Sequence, residues 1–371
     1  MTADPSSQTM APDPDGTVAP GPAKVAVLGA GAWGSTLAKL AADRGCAVAL
    51  WTRDPQLADL LRVHRTRNRP AGLRLPDKVE VTTQLGVAVA DAGLLVVAVS
   101  SSGLREVFGR LAPLLRQRRE DLPQAGPPAL LCASKGLEQG SGLLPTQLYE
   151  DILGADLARG FVALGGPSHA EEVGGETPMP TAVVVAGEAW ATGLVRAVYH
   201  SQNFRVYCLA GEARKDCLAV ELGGALKNII AIATGMAVGR GYGDNTQAAV
   251  ISRGLREIIR AVRQLYPDLN TDILAGIAGL GDLVGTAMSQ HSRNRKFGIL
   301  MGRGMDAQSA FREVGQVVEG AFAARAMHEL AVEHNIHMPL TRLVYEVVHE
   351  GKAVEMAALE ILGREPRAED L

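Results

Sequence analysis

Lys24-Val25-Ala26-Val27-Leu28-Gly29-Ala30-Gly31-Ala32-Trp33-Gly34 is the stretch on which the fold turns. A short apolar run ends at a glycine cluster. The cluster opens a segment in which Trp33, Leu37, Leu40 and Ala41 share one face at helical spacing. Residues 46–51 then read as a second buried strand. Strand, helix, strand is a βαβ unit, and its crossover implies a parallel sheet.

Outward from this unit, residues 94–99 and 128–133 are continuous apolar runs, as expected for strands covered on both faces. Residues 105–115 between them are helical in pattern, and the polar, proline-containing segment 116–127 reads as a surface loop. Residues 161–164, 181–186 and 204–209 are further strand candidates. After about Gly211 strand-like runs vanish and helical patterns dominate, from residues 216–238 to the C-terminus. The expected class is α/β: a Rossmann-type parallel-sheet domain over residues 23–210, then an all-helical domain over residues 211–371. Residues 1–22 read as a disordered tail. Five prolines, Pro5 to Pro22, alternate there with Asp4, Asp13 and Asp15, and little apolar surface is available to offset ordering. The tail lacks the basic start and apolar middle of a secretory signal.

A chain of 371 residues with 47% hydrophobic content suits two well-filled cores. A net charge of -3 argues against a general nucleic-acid binder and leaves room for one basic pocket. Cys46, Cys132, Cys208 and Cys217 form neither a Cys-x-x-Cys pair nor a zinc pattern with histidine. Buried thiols in a reduced, cytoplasmic protein without a metal are expected. The apolar stretch around Ile229 carries Lys227 and Asn228, so no segment is expected to insert in a membrane.

Residues 29–34 match G-x-G-x-x-G, which matters here because it follows a strand and opens a helix. Gly29 permits the tight turn, Gly31 lets a pyrophosphate approach the backbone, and Gly34 lets helix and strand pack closely. The free N–H groups at the helix start, Ala32 and Trp33 among them, then hold the anion. A ligand-free glycine turn is the competing interpretation. Arg53 falls about 20 residues further on, where an acid would bind the ribose of NAD and a cation would neutralise the 2′-phosphate of NADP. NADP is favoured, with NAD left open because Asp54 is adjacent, and an ordinary surface charge is the alternative for Arg53.

Lys135 follows a strand, at the edge where open α/β sheets bind ligands. It either reaches a bound anion or is a solvated loop lysine. Gly165-Gly166-Pro167-Ser168-His169-Ala170 is a second post-strand turn offering backbone N–H groups and a hydroxyl, and His169 is either a general base or part of a helix start. Lys227 is the most informative residue. Its helix face holds Gly223, Gly224, Ile230, Ala231 and Thr234, with no carboxylate four residues away on either side. A lysine on such a face either points into a pocket or snorkels out. In a pocket, desolvation and nearby cations, Lys135 and Arg293, would lower its pKa and fit it to act as a base. Asp282, in Ala278-Gly279-Leu280-Gly281-Asp282-Leu283, either bonds Lys227 or a substrate hydroxyl, or caps a helix. Ser292-Arg293-Asn294 groups a hydroxyl, a guanidinium and an amide, suited to a phosphate or else to a solvated basic face.

Together these segments resemble the bacterial NAD(P)-dependent glycerol-3-phosphate dehydrogenase family. The matching stretches are residues 29–34, 135–138, 166–170, 221–228, 279–283, 292–294 and 315–320, in the family's order and spacing, and the resemblance runs from Lys24 to Gly363. It implies reversible oxidation of sn-glycerol 3-phosphate to dihydroxyacetone phosphate with NADP or NAD, supplying the backbone of glycerophospholipids. A cytoplasmic homodimer is expected, although the sequence by itself does not fix the oligomeric state. By matched position, Lys227 is the proton acceptor and Lys135 touches both cofactor and substrate. Gly166, Ser168, Asp282, Ser292, Arg293 and Asn294 line the substrate site. Ala32, Trp33, Arg53, Ala170, Arg293, Val317 and Glu319 contact the cofactor. One stretch departs from the family: Asn68 is followed by Arg69-Pro70-Ala71-Gly72-Leu73, without the usual aromatic. A hydroxyacid dehydrogenase of the same two-domain type and a dinucleotide sensor without turnover are the competing hypotheses.

Overall fold

One sheet of eight strands organises the first half of the chain in the computed structural model, which describes residues 24–124 and 126–363. The expected tail, residues 1–22, lies outside them. The strands are β1 (Lys24–Leu28), β2 (Ala47–Trp51), β3 (Val79–Thr82), β4 (Leu94–Val97), β5 (Ala129–Cys132), β6 (Phe161–Gly165), β7 (Thr181–Gly187) and β8 (Phe204–Cys208), in the order β3-β2-β1-β4-β5-β6-β7-β8. The order turns back at β1, which pairs with β2 on one side and β4 on the other, Leu28 lying beside Trp51 and Val97. A topological switch of this kind opens a crevice beyond the carboxyl ends of the strands. Gly29, Ala98 and Lys135 all follow strands at that edge.

Four expectations need correction. The sheet is not wholly parallel: β7 runs antiparallel to β6, and β8 follows β7. β3 was not foreseen. It is a four-residue edge strand with Glu80 exposed, too short and too polar to stand out. The segment 116–127 is not all loop, because one helix runs over Leu104–Asp121. Its last turns are held by a Gln117–Asp121 bond of 2.9 Å along the exposed face and by Arg118, which reaches the Ala92 carbonyl at 2.6 Å. Finally, the apolar helix around Ile229 has 27 residues, enough in length and composition to cross a bilayer, yet 89% of its apolar window is buried inside the protein.

That helix joins the two halves of the molecule. We label α1 (Ala32–Asp43), α2 (Ala213–Gly239), α3 (Asp244–Leu265), α4 (Asp282–Met288), α5 (Arg293–Gly302), α6 (Glu319–Glu333) and α7 (Pro339–His349). The first turns of α2 pack on the sheet, where Cys217 Sγ donates to the Ala186 carbonyl at 3.1 Å. Its later turns are wrapped by α3 to α7 around a core that includes Leu226, Ile229, Ile232, Phe297 and Val344. Gly235 and Gly239 of α2 face Gly298 and Gly302 of α5. A Cβ at Gly235 would lie 2.3 Å from the Arg295 carbonyl oxygen, and one at Gly298 would lie 2.2 Å from that of Ile232. Only glycine on both sides lets the two backbones touch. The contact brings the first turn of α5 beside Lys227 and Asn228.

Candidate active site

The crevice is a cleft of about 570 Å³ between the carboxyl edge of the sheet and the helical half. Its first wall is the turn from β1 into α1. Gly29 sits at φ +114, and a side chain there would strike the Ala98 carbonyl. A Cβ at Gly34 would overlap the Gly29 carbonyl oxygen at 1.8 Å, so its role is close packing beneath the turn. Gly31 differs: a Cβ there would meet nothing within 4 Å, because it faces the open cleft. It is also the N-cap of α1 without any side-chain cap, so the first N–H groups of the helix are left to a ligand. An uncapped helix start beside a bare glycine fits a dinucleotide pyrophosphate.

At the opposite wall, two lysines converge on one acid. Lys227 is 5% exposed and Asp282 1%. No carboxylate lies within a helical turn of the lysine on its own helix, and a bond to Lys227 is one of three readings that the sequence leaves open for Asp282. The partner comes from α4: Lys227 Nζ donates to Asp282 Oδ1 and, at 2.8 Å, to Thr286 Oγ1 one turn further along. Lys135 Nζ donates to Asp282 Oδ2 at 2.9 Å, to the Gly166 carbonyl at 2.8 Å and to Ser168 Oγ at 3.3 Å. All three protons of Lys135 are thereby engaged. Asp282 opens α4 directly after a one-turn π-helical segment, Ile277–Gly281, and directs its carboxylate at the lysines instead of capping the helix.

The charges follow from this packing. Burial pushes the Lys227 ammonium down, Asp282 pulls it partly back up and Lys135 pushes it down again, leaving it at about 8. Of the two cations expected to depress it, Lys135 does so and Arg293 is not among its main influences; Arg293 instead acts on Glu319, whose carboxyl burial raises although Arg293, Lys227 and Lys135 draw it back. Burial alone would raise Asp282, but Lys135 and Lys227 together hold it below its ordinary value. His169 is pushed down by burial, then by Lys227 and Lys135. It stands at the N-cap of the short helix Ala170–Gly174 and also lines the cleft, its ring 6.4 Å from that of His291.

The start of α5 supplies the third wall. The Ser292 hydroxyl caps the helix, accepting from Arg295 N at 3.2 Å. Asn294 braces three elements: its amide donates to Asn228 Oδ1 and its carbonyl accepts from Gly320 N, both at 2.9 Å. Arg293 is exposed to the cleft between them.

Of the residues expected from sequence, the cleft gathers Gly31, Ala32, Trp33, Lys135, Ser168, Ala170, Lys227, Asp282, Ser292, Arg293, Asn294, Val317 and Glu319. Gly29 and Gly34 lie behind it, and Gly166 contributes through its carbonyl. Arg53 lies outside the lining, where its guanidinium pairs with Glu106 at 2.9 Å. Asp54 is occupied as the cap of the helix Pro55–His64, accepting from Gln56 N at 3.0 Å and Leu57 N at 3.2 Å. Sequence reasoning missed Thr286, Arg67, Arg69 and His291. Thr286 was within reach, since it lies four residues after Asp282 and therefore on the same helix face.

Comparison with known proteins converges on the same pattern. Residues 24–192 match the family model described as NAD-dependent glycerol-3-phosphate dehydrogenase N-terminus, and residues 216–359 the corresponding C-terminus model. The glycerol-3-phosphate dehydrogenase [NAD(P)+] of Chlorobium limicola is 41% identical over 347 residues, covering 93% of this chain and 99% of that one. The enzyme of the same name from Syntrophomonas wolfei is 39% identical over 348 residues, covering 93% and 96%. The crystal structure of glycerol-3-phosphate dehydrogenase from Coxiella burnetii superposes with a TM-score of 0.80 at 34% identity, over 92% of this chain and 99% of that one.

Proposed function

The chain belongs to the NAD-dependent glycerol-3-phosphate dehydrogenase family, and we propose that it interconverts sn-glycerol 3-phosphate and dihydroxyacetone phosphate with NADP or NAD, supplying glycerophospholipid synthesis. The observation that carries the reading is the buried Lys227, held by Asp282 and Thr286 at the wall of the cleft that the Gly31 turn and Arg293 also line.

The chemistry divides between ligand and protein. A bound nicotinamide ring supplies the hydride acceptor or donor. Lys227 takes the proton of the C2 hydroxyl during oxidation, and in reduction its ammonium polarises the C2 ketone and returns that proton. A value of about 8 suits both directions, because both forms of the amine are accessible near neutrality. Asp282 and Thr286 fix where the amine points. Arg293 binds the phosphate as a planar fork and uses that remote contact to position C2. Asn294, engaged with Asn228 and Gly320, keeps the first turn of α5 in register with Lys227. The uncapped start of α1 and Gly31 take the pyrophosphate. Arg53 meets a ribose 2′-phosphate, and NADP is preferred because Asp54, the acid that would serve NAD, is committed to capping. Cytoplasmic location accords with four unpaired cysteines. A homodimer accords with Met356, Leu359 and Leu362, exposed at three-residue spacing along the helix Val354–Leu362.

The test is oxidation of NADPH and NADH, side by side, with dihydroxyacetone phosphate and with a panel of 2-oxoacids. Turnover confined to the phosphorylated triose, with NADPH preferred, is expected. Faster turnover of an oxoacid would overturn the substrate assignment.

A further inference from the structure

The loop Arg65–Leu75, which departs from the family pattern, is built to present a cation to the cleft. Arg65 and Leu75 close it, with Leu75 N donating to the Arg65 carbonyl at 2.7 Å and an isolated antiparallel bridge joining Thr66 to Arg74. Leu73 and Leu75 are wholly buried. Arg65 Nη1 ties the base of the loop to the Val79 carbonyl at 2.7 Å. Its far side packs on the segment after Ala170–Gly174: Gly72 has φ +77, and a Cβ there would overlap the Glu176 side chain at 2.0 Å. A loop fixed at both ends and against a neighbour holds its side chains in place before any ligand arrives.

Within this frame Arg67 lines the cleft, half-buried, with an Nε that is buried and has no hydrogen-bond partner among the described residues. Burial lowers its pKa and no carboxylate opposes that fall. Arg69, exposed, lines the same cleft. Lys135 and Lys227 share Asp282, so the acid nearest them is already neutralised. An arginine that is partly desolvated and unpaired carries an unmet electrostatic cost, which an anion in the cleft would relieve.

We propose that Arg67 is a second anion anchor of the cleft, its guanidinium taking a phosphoryl oxygen of the ligand that the cleft binds. The inference deepens the proposed function and rests on it for the identity of the ligand. The phosphoryl group belongs either to the triose phosphate ester or to the dinucleotide's phosphoanhydride, and the two are separable.

Arg67→Gln and Arg67→Lys are compared with the unmodified protein by NADPH fluorescence titration, by the KM for dihydroxyacetone phosphate at saturating NADPH, and by calorimetric titration with inorganic phosphate and pyrophosphate. Arg67→Gln is expected to weaken phosphoryl binding about tenfold or more, and Arg67→Lys to recover part of it, because the charge remains while the fork is lost. A rise confined to the KM assigns the triose phosphate; one confined to the NADPH Kd assigns the dinucleotide. Should Arg67→Gln lose its cooperative melting, Arg67→Lys carries the same comparison. Unchanged affinity for all four ligands in a folded variant would overturn the proposal. The inorganic titrations need no turnover, so an unmodified protein that bound pyrophosphate but reduced no triose phosphate would count against the proposed function alone.

Discussion

Lys135 donates to Oδ2 of Asp282 at 2.9 Å, across 147 residues of sequence, while the other oxygen of the same carboxylate accepts from Lys227. One lysine comes from the edge of the sheet, the other from the helix shared by both halves, and the acid from the helical half. The geometry of this lysine–acid cluster therefore depends on the two halves being packed together. The charge state of Lys227 depends on how much Asp282 and Lys135 each pull.

Asp282→Asn removes the strongest upward influence on Lys227. Its pKa, now about 8, should fall. In the proposed mechanism reduction of dihydroxyacetone phosphate needs the ammonium, so the pH at which that rate declines should move to lower values. kcat itself should fall by about 10²-fold, as expected when a positioned acid loses its orientation. A kcat profile of NADPH oxidation across neutral and mildly alkaline pH checks both. An unmoved alkaline limb would separate Asp282 from the titration.

Two glycines of one turn should fail in different ways. Gly34→Ala drives a methyl into the Gly29 carbonyl and should destabilise by roughly 2–4 kcal/mol, visible as a lower Tm. Gly31→Ala meets open space, so Tm should hold while NADPH affinity drops by about tenfold or more, since the methyl occupies the pyrophosphate's approach. Equal losses of Tm in both variants would contradict this division.

Arg53→Ser removes the 2.9 Å partner of Glu106, which keeps Arg110 at 3.8 Å, and removes the cation beyond β2. KM for NADPH should rise by about tenfold and that for NADH by far less, measured with one triose phosphate stock. A parallel rise for both cofactors would assign Arg53 to the surface.

Glu257 is a stability sensor distant from the cleft. Its buried carboxyl accepts from Leu340 N and Thr341 N at the start of α7, and burial raises it from 4.5 to about 7 despite those bonds. A carboxyl whose folded pKa is raised contributes stability that is complete below pH 4.5 and lost as pH rises through about 7. The loss is on the order of 3 kcal/mol. Glu257→Gln retains an acceptor and cannot ionise, so its stability should vary less with pH across that window in urea titrations. Parallel curves would remove Glu257 from the linkage.

The strand–glycine–helix unit was legible because period and turn chemistry agree over consecutive residues. Lys227 was legible as a misfit, a cation on a face of glycines and aliphatics. Its partner was not assured, since ion pairs formed by tertiary packing leave no spacing in sequence, although Asp282 stood among the candidates. The direction of β7 was hidden for a similar reason: a buried strand presents the same apolar run either way. Arg67 and Arg69 sit in a loop whose shape is set by Leu73, Leu75 and Gly72 against distant neighbours, and only the lack of nearby acids hinted at them.

The decisive measurement is the turnover of Lys227→Ala with dihydroxyacetone phosphate, made alongside its NADPH dissociation constant. A fall in kcat of about 10³-fold with NADPH affinity nearly unchanged is the expected result, since the proposed mechanism has the amine act on the reacting oxygen and not on the cofactor's binding. Turnover close to that of the unmodified chain would contradict the role of Lys227 as proton donor and acceptor.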